Sequence, residues 1–152
     1  MEIVRDEGPL WNRNFIIILI VNCFISISFF IINPTFPVYA KSLIDDLGIV
    51  GLLSSVFLIS ATLIRPISGY ITDIFNKKEI FISGILLLCL SLLGYIFIKS
   101  VAGIVAIRLL HGVGMGLATT VFGALASENI PKSRMGEGMG FYGLGMVLGM
   151  SI

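Results

Sequence analysis

Arg108 and His111 are two polar side chains that lie three residues apart inside a long apolar stretch of the chain. A cation within an apolar helix is expensive to bury, so such a residue is a functional candidate by default. A fixed cation in a medium of low dielectric attracts anionic groups and favours the charged form of a nearby acid. Arg108 and His111 are therefore the first residues to which we assign chemistry.

The small and polar residues around Arg108 are arranged on one helical face. A period of 3.6 residues per turn places them together. They are Arg108, His111, Gly112, Met115, Gly116, Thr119 and Gly123. We expect this face to look toward a cavity or a neighbouring helix. Two alternatives stay open: Arg108 could extend toward the outer headgroups, about 10 Å along the helix, and His111 could be an ordinary hydrogen-bonded interior histidine.

Polar residues occur at two further places. Asn22 lies in the middle of another apolar run, where it could face a substrate cavity or form a hydrogen bond to a neighbouring helix. The segment 69–78 contains one aspartate and two lysines, and by itself it is a charged turn between two helices. We expect Gly69 to let a neighbouring helix come close and Asn76 to adopt the left-handed conformation of a tight turn.

The sequence contains no arrangement typical of an enzyme or a metal centre. It has one histidine and two distant cysteines, Cys23 and Cys89, so no metal-ligand spacing exists. No Ser-His-Asp set or paired carboxylates are apparent, and we expect neither a cofactor nor enzymatic activity. The letters Gly138-x-Gly140-x-x-Gly143 match a dinucleotide fingerprint, but a basic loop precedes them where that motif requires a strand.

Several glycines are instead spaced for helix packing. Small residues four positions apart let two helix backbones come close in a membrane. They are the pairs Gly136/Gly140 and Gly145/Gly149, together with Gly116.

The composition indicates a membrane protein. Of the 152 residues, 57% are apolar and only 12% are charged, against roughly 45–50% and about 25% in soluble chains. A formal charge of +1 gives no reason to expect a nucleic-acid partner. Since a bilayer core needs about 20 apolar residues per helix, we predict five membrane helices. Their approximate bounds are 15–37, 49–72, 80–98, 101–127 and 138–152.

Basic residues in the loops predict the orientation. Short loops rich in Lys and Arg stay in the cytoplasm. One side of the predicted membrane carries Arg5, Arg13, Lys77, Lys78, Lys132 and Arg134, and the other carries Lys41 and Lys99. We therefore expect a multi-pass protein of the cell membrane with a cytoplasmic N-terminus.

The segment 69–78 resembles the cytoplasmic signature of the major facilitator superfamily, which reads Gly-x-x-x-Asp-(Arg)-x-(Gly)-(Arg/Lys)-(Arg/Lys). The matching residues are Gly69, Asp73, Lys77 and Lys78. Ile74 stands where the family usually has Arg, which removes one charge, and Asn76 replaces the second Gly. The resemblance implies that Asp73 and Lys77 form a gate that latches the two halves of a transporter at the cytoplasmic face.

The fourth predicted helix carries a second resemblance to this superfamily, the pattern Arg-x-x-(Gln/His)-Gly. Arg108, His111 and Gly112 match it, and the family associates this arginine with proton coupling in antiporters. Pro34 and Pro37, where we expect the first helix to bend or end, and the glycine-rich fifth helix are similar to features of the drug:proton antiporter branch. We expect a proton-coupling or substrate cavity formed by Arg108, His111, Gly112, Met115 and Asn22.

No acid lies inside the five predicted helices at membrane depth. A titrating partner of Arg108 would therefore be Glu128 or Glu137 at the cytoplasmic edge, or an acid on a helix outside these residues. The resemblance implies that such further helices exist in a complete transporter.

The fifth apolar run, Gly138 to Ile152, has 15 residues or roughly 22 Å of helix, too short to cross the bilayer. We expect residues 1–152 to be an incomplete N-terminal half-domain of a longer all-α membrane bundle, with helices 1 to 5 of an expected 12. The resemblance implies alternating-access transport of a small molecule, with proton-coupled efflux as the expected mode. The expected partners are the substrate, protons, the lipid bilayer and the C-terminal half of the same protein.

Two other classes of function stay open. A stand-alone membrane scaffold or regulatory subunit would use the glycine packing faces and would not transport. An intramembrane enzyme would need an acid pair, a metal set or a nucleophile with a base at membrane depth, and the sequence contains none of these.

Overall fold

The computed structural model describes residues 8–151 as an all-α structure. Within that range the α-helices are α1 (Arg13–Lys41), α2 (Leu47–Ile74), α3 (Lys77–Phe97), α4 (Val101–Glu128) and α5 (Met135–Met150). A short 3-10 helix, Lys132–Arg134, precedes α5. The helices α1 to α4 are long and apolar enough to cross a membrane. The structure therefore confirms the predicted all-α membrane fold.

The helices extend beyond the apolar runs from which they were predicted. The helix α3 begins at Lys77 rather than near residue 80, and α5 begins at Met135 rather than near residue 138. Hydropathy marks only the part of a helix that lies in hydrocarbon, whereas backbone hydrogen bonds continue into the headgroup region. Charged residues therefore occupy several of the helix ends.

The helix α1 continues through both of its prolines. Pro34 and Pro37 lie inside α1, which ends only at Lys41. Of the two expected outcomes, a bend or an end of the helix, the end at this point was wrong. Each proline removes one backbone hydrogen bond. Membrane helices tolerate this loss because neighbouring helices and local side chains compensate for it.

Two residues, Phe75 and Asn76, connect α2 to α3. The predicted left-handed conformation of Asn76 was wrong, because its φ is −64° and its ψ is 115°. Its Oδ1 instead accepts a hydrogen bond from the backbone N–H of Lys78 at 3.0 Å, which caps the first turn of α3. Since α2 extends to Ile74, an extended link is sufficient and no tight turn is needed.

The chain divides into two compact units. Among the described residues, one unit combines residues 8–33 with residues 122–151, and the other is Pro34–Val121. In the first unit, Asn12 caps α1, since the backbone N–H of Phe15 donates to its Oδ1 at 2.9 Å. The Nδ2 of Asn12 also donates to the carbonyl of Asn129 at 2.8 Å, which joins the two segments of this unit.

Glycines of α5 contact α1 within the first unit. A Cβ added at Gly149 would lie 2.8 Å from the backbone N of Ile27, and one at Gly145 would lie 2.9 Å from the Nδ2 of Asn22. At Gly136 and Gly140 an added Cβ would meet no described atom within 4 Å. Of the two glycine pairs predicted in α5, only Gly145/Gly149 therefore shows the close approach to a neighbouring helix among the described residues.

Alternate glycines of α4 contact two different helices in the second unit. A Cβ added at Gly112 would lie 2.9 Å from the backbone N of Ala61, and one at Gly116 would lie 2.7 Å from the Ala61 carbonyl, so both face α2. A Cβ added at Gly114 would lie 3.0 Å from the Gly84 carbonyl on α3. Because lipid gives no hydrophobic drive for helix association, such close backbone packing contributes much of the stability.

We predict that Gly112→Ala destabilises the chain. The added methyl would lie 2.5 Å from the carbonyl oxygen of Phe57 and 2.9 Å from the N of Ala61, which are backbone atoms of α2. Overpacking of this kind costs about 1–3 kcal/mol. The measurement is unfolding by sodium dodecyl sulfate in mixed micelles, followed by circular dichroism.

Gly123→Ala on the same helix is the matched control. An added Cβ there meets no described atom within 4 Å, and alanine favours a helix over glycine by about 1 kcal/mol. Its unfolding curve should be unchanged or shifted to higher detergent. Equal curves for the two variants would show that α2 and α4 are not in backbone contact.

Candidate functional site

The side chain of Arg108 is buried among aromatic rings. It is 1% exposed, and its Cζ lies 3.1 Å from the ring centroid of Phe36. The same atom lies 5.3 Å from the centroid of Phe57 and 6.0 Å from that of Tyr95. We call these three rings, contributed by α1, α2 and α3, the aromatic cage. Cation–π contacts hold Arg108 in the cage, and its side chain does not extend to the surface of the structure.

Two nitrogens of Arg108 have no hydrogen-bond partner in the part of the chain that the structure describes. The Nε and Nη1 atoms are both buried and unpaired among the described residues. Stacking on Phe36 occupies the face of the guanidinium, whereas its N–H bonds lie in its plane. The cation is therefore desolvated but keeps free donors, an arrangement that is costly unless an anion completes it.

No carboxylate is buried beside this cation in the second unit. The acidic residues between Pro34 and Val121 are Asp45, Asp46, Asp73 and Glu79. All four are exposed, and they lie in the connections or in the end turns of α2 and α3. Asp46, for example, caps α2 by accepting a hydrogen bond from the backbone N–H of Gly48 at 2.7 Å.

His111 lies one helical turn after Arg108 and is also buried. It is 4% exposed, and its Nδ1 lies 3.2 Å from the hydroxyl oxygen of Tyr95. Its ring centroid lies 4.9 Å from that of Phe57. His111 is thus buried and hydrogen-bonded, and it contacts two rings of the aromatic cage, Phe57 and Tyr95.

Tyr95 connects this site to the end of the helices at which α3 is joined to α4. The hydroxyl of Tyr39 donates to the carbonyl of Tyr95 at 2.7 Å. The ammonium of Lys99 donates to the Tyr39 hydroxyl at 3.2 Å and to the Tyr95 carbonyl at 3.3 Å. An apolar cluster that includes Phe36 and Leu53 packs against Tyr39 and Tyr95. Both tyrosine side chains are therefore fixed in position.

Sequence reasoning did not identify Tyr95 or Phe57 as site residues. For Tyr95 one signal exists, which is its position along its helix. Tyr95 lies two residues before the end of α3, and α4 begins four residues after that end. In antiparallel helices joined by so short a link, residues near the joined ends lie at similar positions along the two helix axes. Phe57 offers no such signal, because it is one of many apolar residues in α2.

The other predicted cavity residues are placed differently. Met115 is half-buried, and its carbonyl accepts a hydrogen bond from Thr119 Oγ1 at 2.8 Å. Gly112 provides the close contact with α2 described above. Asn22 belongs to the first unit, where its Nδ2 donates to the carbonyl of Tyr142 at 2.8 Å. Its observed role is the hydrogen bond to a neighbouring helix that the sequence left open.

The residues of the predicted gate surround the α2–α3 connection. Asp73 is exposed in the last turn of α2, and Lys78 is exposed in the first turn of α3, with Lys77 half-buried beside it. A Cβ added at Gly69 would meet no described atom within 4 Å. The expected close approach at Gly69 is thus absent from the part of the chain that the structure describes, and the surface around it is open.

The two acids named as possible titrating partners lie near the start of α5 and the end of α4. Glu137 forms two hydrogen bonds with Arg134, at 2.7 and 2.8 Å. Glu128 is the last residue of α4. Among residues 8–151, no group of three or more His, Cys, Asp or Glu side chains could hold a metal ion.

Comparison with known proteins identifies the family. The family model described as Major Facilitator Superfamily matches residues 18–152. The chain belongs to the major facilitator superfamily. This finding confirms the resemblance predicted from the signature of segment 69–78 and from the Arg108 pattern.

Relatives within the superfamily include transporters named for drug efflux. The chain is 28% identical to the multi-drug resistance efflux pump PmrA of Streptococcus pneumoniae over 91% of this chain and 36% of that protein. It is 29% identical to the PmrA homolog of Lactococcus lactis over 97% and 37%. An uncharacterized MFS-type transporter of Methanocaldococcus jannaschii is 30% identical over 80% and 31%. The chain spans about a third of the length of these superfamily members.

We predict that Tyr95→Phe removes a hydrogen bond from His111 and lowers the free energy of unfolding by about 1 kcal/mol. The ring of Tyr95 and its backbone contacts remain. Because His111 is the single histidine of the chain, its ring ¹⁵N resonances can be read directly by NMR. Those resonances should shift in the variant.

Tyr70→Phe is the control for this prediction. Tyr70 is 69% exposed in α2, so loss of its hydroxyl should leave both the unfolding curve and the histidine resonances unchanged. Unshifted resonances in Tyr95→Phe would show that the Tyr95–His111 hydrogen bond does not form.

Proposed function

We propose that this chain forms the first part of a transporter that exports a small molecule in exchange for protons by alternating access. Membership of the superfamily supports transport in general. The observation that carries the finer proposal is the buried pair Arg108 and His111, inside helices long enough to cross a membrane. Buried ionisable side chains at membrane depth are typical of substrate and proton pathways.

The proton-handling group in this proposal is His111. Histidine is the side chain that exchanges a proton near neutral pH. The charged and titratable groups around it are Arg108 on its own helix, Tyr95 on α3 and, behind Tyr95, Tyr39 on α1. From α2 it meets the uncharged ring of Phe57. Arg108 supplies a fixed charge, so movement of either side chain would alter how readily His111 takes up a proton.

The cytoplasmic gate in this proposal is formed by Gly69, Asp73, Lys77 and Lys78. The exposed position of Asp73 and Lys78 at the α2–α3 connection supports this role. Such charges can pair with a second half of the transporter when the cytoplasmic side closes. Opening would break those pairs and let the substrate enter. The relatives, of which this chain spans about a third, have the additional length that this second half requires.

The proposed orientation puts the N-terminus and the α2–α3 connection in the cytoplasm of a cell membrane. The basic residues of the connections support it, since Lys77, Lys78, Lys132 and Arg134 would lie inside and Lys41 and Lys99 outside. Lys99 then marks the outer entrance to the site through its contacts with Tyr39 and Tyr95.

We predict proton-driven accumulation in everted membrane vesicles from cells that express the gene encoding this chain. The vesicles are given an acidic interior, and uptake of ethidium and of carboxyfluorescein is followed by fluorescence. Uptake of at least one dye should require the pH gradient and stop with nigericin. Arg108→Ala should lower the rate of dye uptake by about tenfold or more, which corresponds to an increase of about 1.4 kcal/mol in the activation free energy. It should also abolish the pH dependence of uptake.

Arg65→Ala is the matched control for this experiment. Arg65 is an exposed arginine on α2, so uptake should keep its rate and its pH dependence. Uptake by Arg108→Ala with an unchanged pH dependence would refute the coupling role. Absence of uptake of either dye at any gradient would favour a scaffold or regulatory role instead.

The orientation gives a separate prediction. In a background with Cys23 and Cys89 replaced by Ser, Lys99→Cys should react with a membrane-impermeant maleimide in intact cells. Lys78→Cys should react only after the membrane is permeabilised. The measurement is a mass shift on a denaturing gel, and the reverse pattern would overturn the proposed orientation.

A further inference from the structure

We propose that the guanidinium of Arg108 binds the carboxylate of a small organic anion, so the site accepts an aromatic carboxylate. This inference rests on the proposed function, since it names the ligand class of the same site. It starts from the two buried nitrogens of Arg108, Nε and Nη1, that have no hydrogen-bond partner within residues 8–151. A buried donor without a partner is costly, and a charged one more so.

The geometry of the aromatic cage leaves these donors usable. The Cζ of Arg108 lies 3.1 Å from the centroid of Phe36, so that ring covers one face of the guanidinium. The N–H groups lie in the guanidinium plane, perpendicular to the cation–π contact. Both donors are buried, so an oxygen anion can bind in this plane only once side chains that cover Arg108 have moved. Hydrogen bonds from an arginine to a carboxylate are among the strongest in proteins.

The charges around the site select an anion over a cation. Arg108 is buried, and the four acids of the second unit are exposed at helix ends. Lys99, at the outer end, adds a second positive charge that reaches Tyr39 and Tyr95. A cationic ligand would meet like charge in a medium of low dielectric, whereas an anion would neutralise the buried one.

The apolar lining selects a ligand with an aromatic or similar body. Phe57 and Tyr95 lie beside the guanidinium, and Leu53 belongs to the buried cluster that packs against Tyr95. Rings of this kind stack favourably with another ring. A carboxylate attached directly to an aromatic ring therefore matches both the charge and the surface of the site.

Access to Arg108 depends on Phe36, which covers it. Phe36 lies between Pro34 and Pro37, where α1 lacks two backbone hydrogen bonds. Helices bend most readily at such positions. A change in the bend of α1 would move the Phe36 ring and expose the unpaired nitrogens to a ligand.

The test is titration of the full chain in lipid nanodiscs with benzoate, benzylammonium and benzyl alcohol as probes. Arginine is labelled with ¹⁵N, and the Nε–H signal of Arg108 is assigned by its loss in Arg108→Lys. Benzoate should shift this signal with saturation, whereas the two other probes should not. Arg108→Gln should weaken benzoate binding, measured by calorimetry, by about tenfold or more, and Arg65→Gln should leave it unchanged.

Three results would overturn the proposal. The first is an Arg108 Nε–H signal that benzoate does not shift. The second is an equal shift with benzylammonium or benzyl alcohol. The third is a signal that already lies at the benzoate-bound position before titration, because an acidic side chain of the protein then occupies the site. These readouts on the wild-type chain hold even if Arg108→Gln fails to fold.

Binding and transport fail in different ways. The titration uses no gradient, so benzoate binding without gradient-driven uptake would leave the anion site intact and refute proton-coupled export. Gradient-driven uptake that depends on Arg108, with no benzoate binding, would refute the anion site and leave the proposed function intact.

Discussion

Burial of a full positive charge among apolar helices is the constraint on which the described site depends. A guanidinium removed from water loses several kcal/mol of solvation. In this chain cation–π contacts compensate for part of that loss, since Phe36 lies over the guanidinium face and two further rings lie nearby. The rest of the solvation loss is not compensated, because Nε and Nη1 have no hydrogen-bond partner among the described residues. Arg108 is therefore held in a state that a suitable anion would stabilise strongly.

The glycines of α4 make this burial possible. Gly112 and Gly116 bring α4 against the backbone of α2, and Gly114 brings it against α3. Close approach of the three helices leaves the aromatic side chains of α2 and α3 within reach of Arg108 and His111. A larger residue at Gly112 would separate α4 from α2 and so move Phe57 away from the guanidinium. The same residues that pack the helices thus determine the geometry of the site.

Much of the fold follows from the sequence, whereas the surroundings of Arg108 do not. Long apolar runs predict the membrane helices, and a helical period of 3.6 places Arg108, His111 and Gly112 on one face. The positions of the helix ends are harder to predict from the sequence. Hydropathy does not reveal a helix that continues among charged residues, as α3 does at Lys77. The partners Phe57 and Tyr95 depend on which helices come into contact and at what rotation, and a single sequence does not contain that information.

The helix α1 continues through two prolines, although proline commonly ends a helix in soluble proteins. Pro34 and Pro37 would end a helix in water, where the freed carbonyls find solvent. In a bilayer a broken helix would leave those groups in hydrocarbon, so continuation is the less costly choice. Phe36 lies at this weakened point and covers Arg108.

Arginine and lysine would not be equivalent at position 108. A planar guanidinium can stack one face on Phe36 while its N–H groups remain free in the plane for an anion. The ammonium of lysine has no planar face. If it were held against a ring, some of its N–H donors would point at that ring and would not be available to an anion. The aromatic cage therefore suits a residue that separates its apolar contact from its polar one. Because the apolar contact and the hydrogen-bond donors lie in different directions, Phe36 can stabilise the buried cation while its N–H groups remain available to an anion.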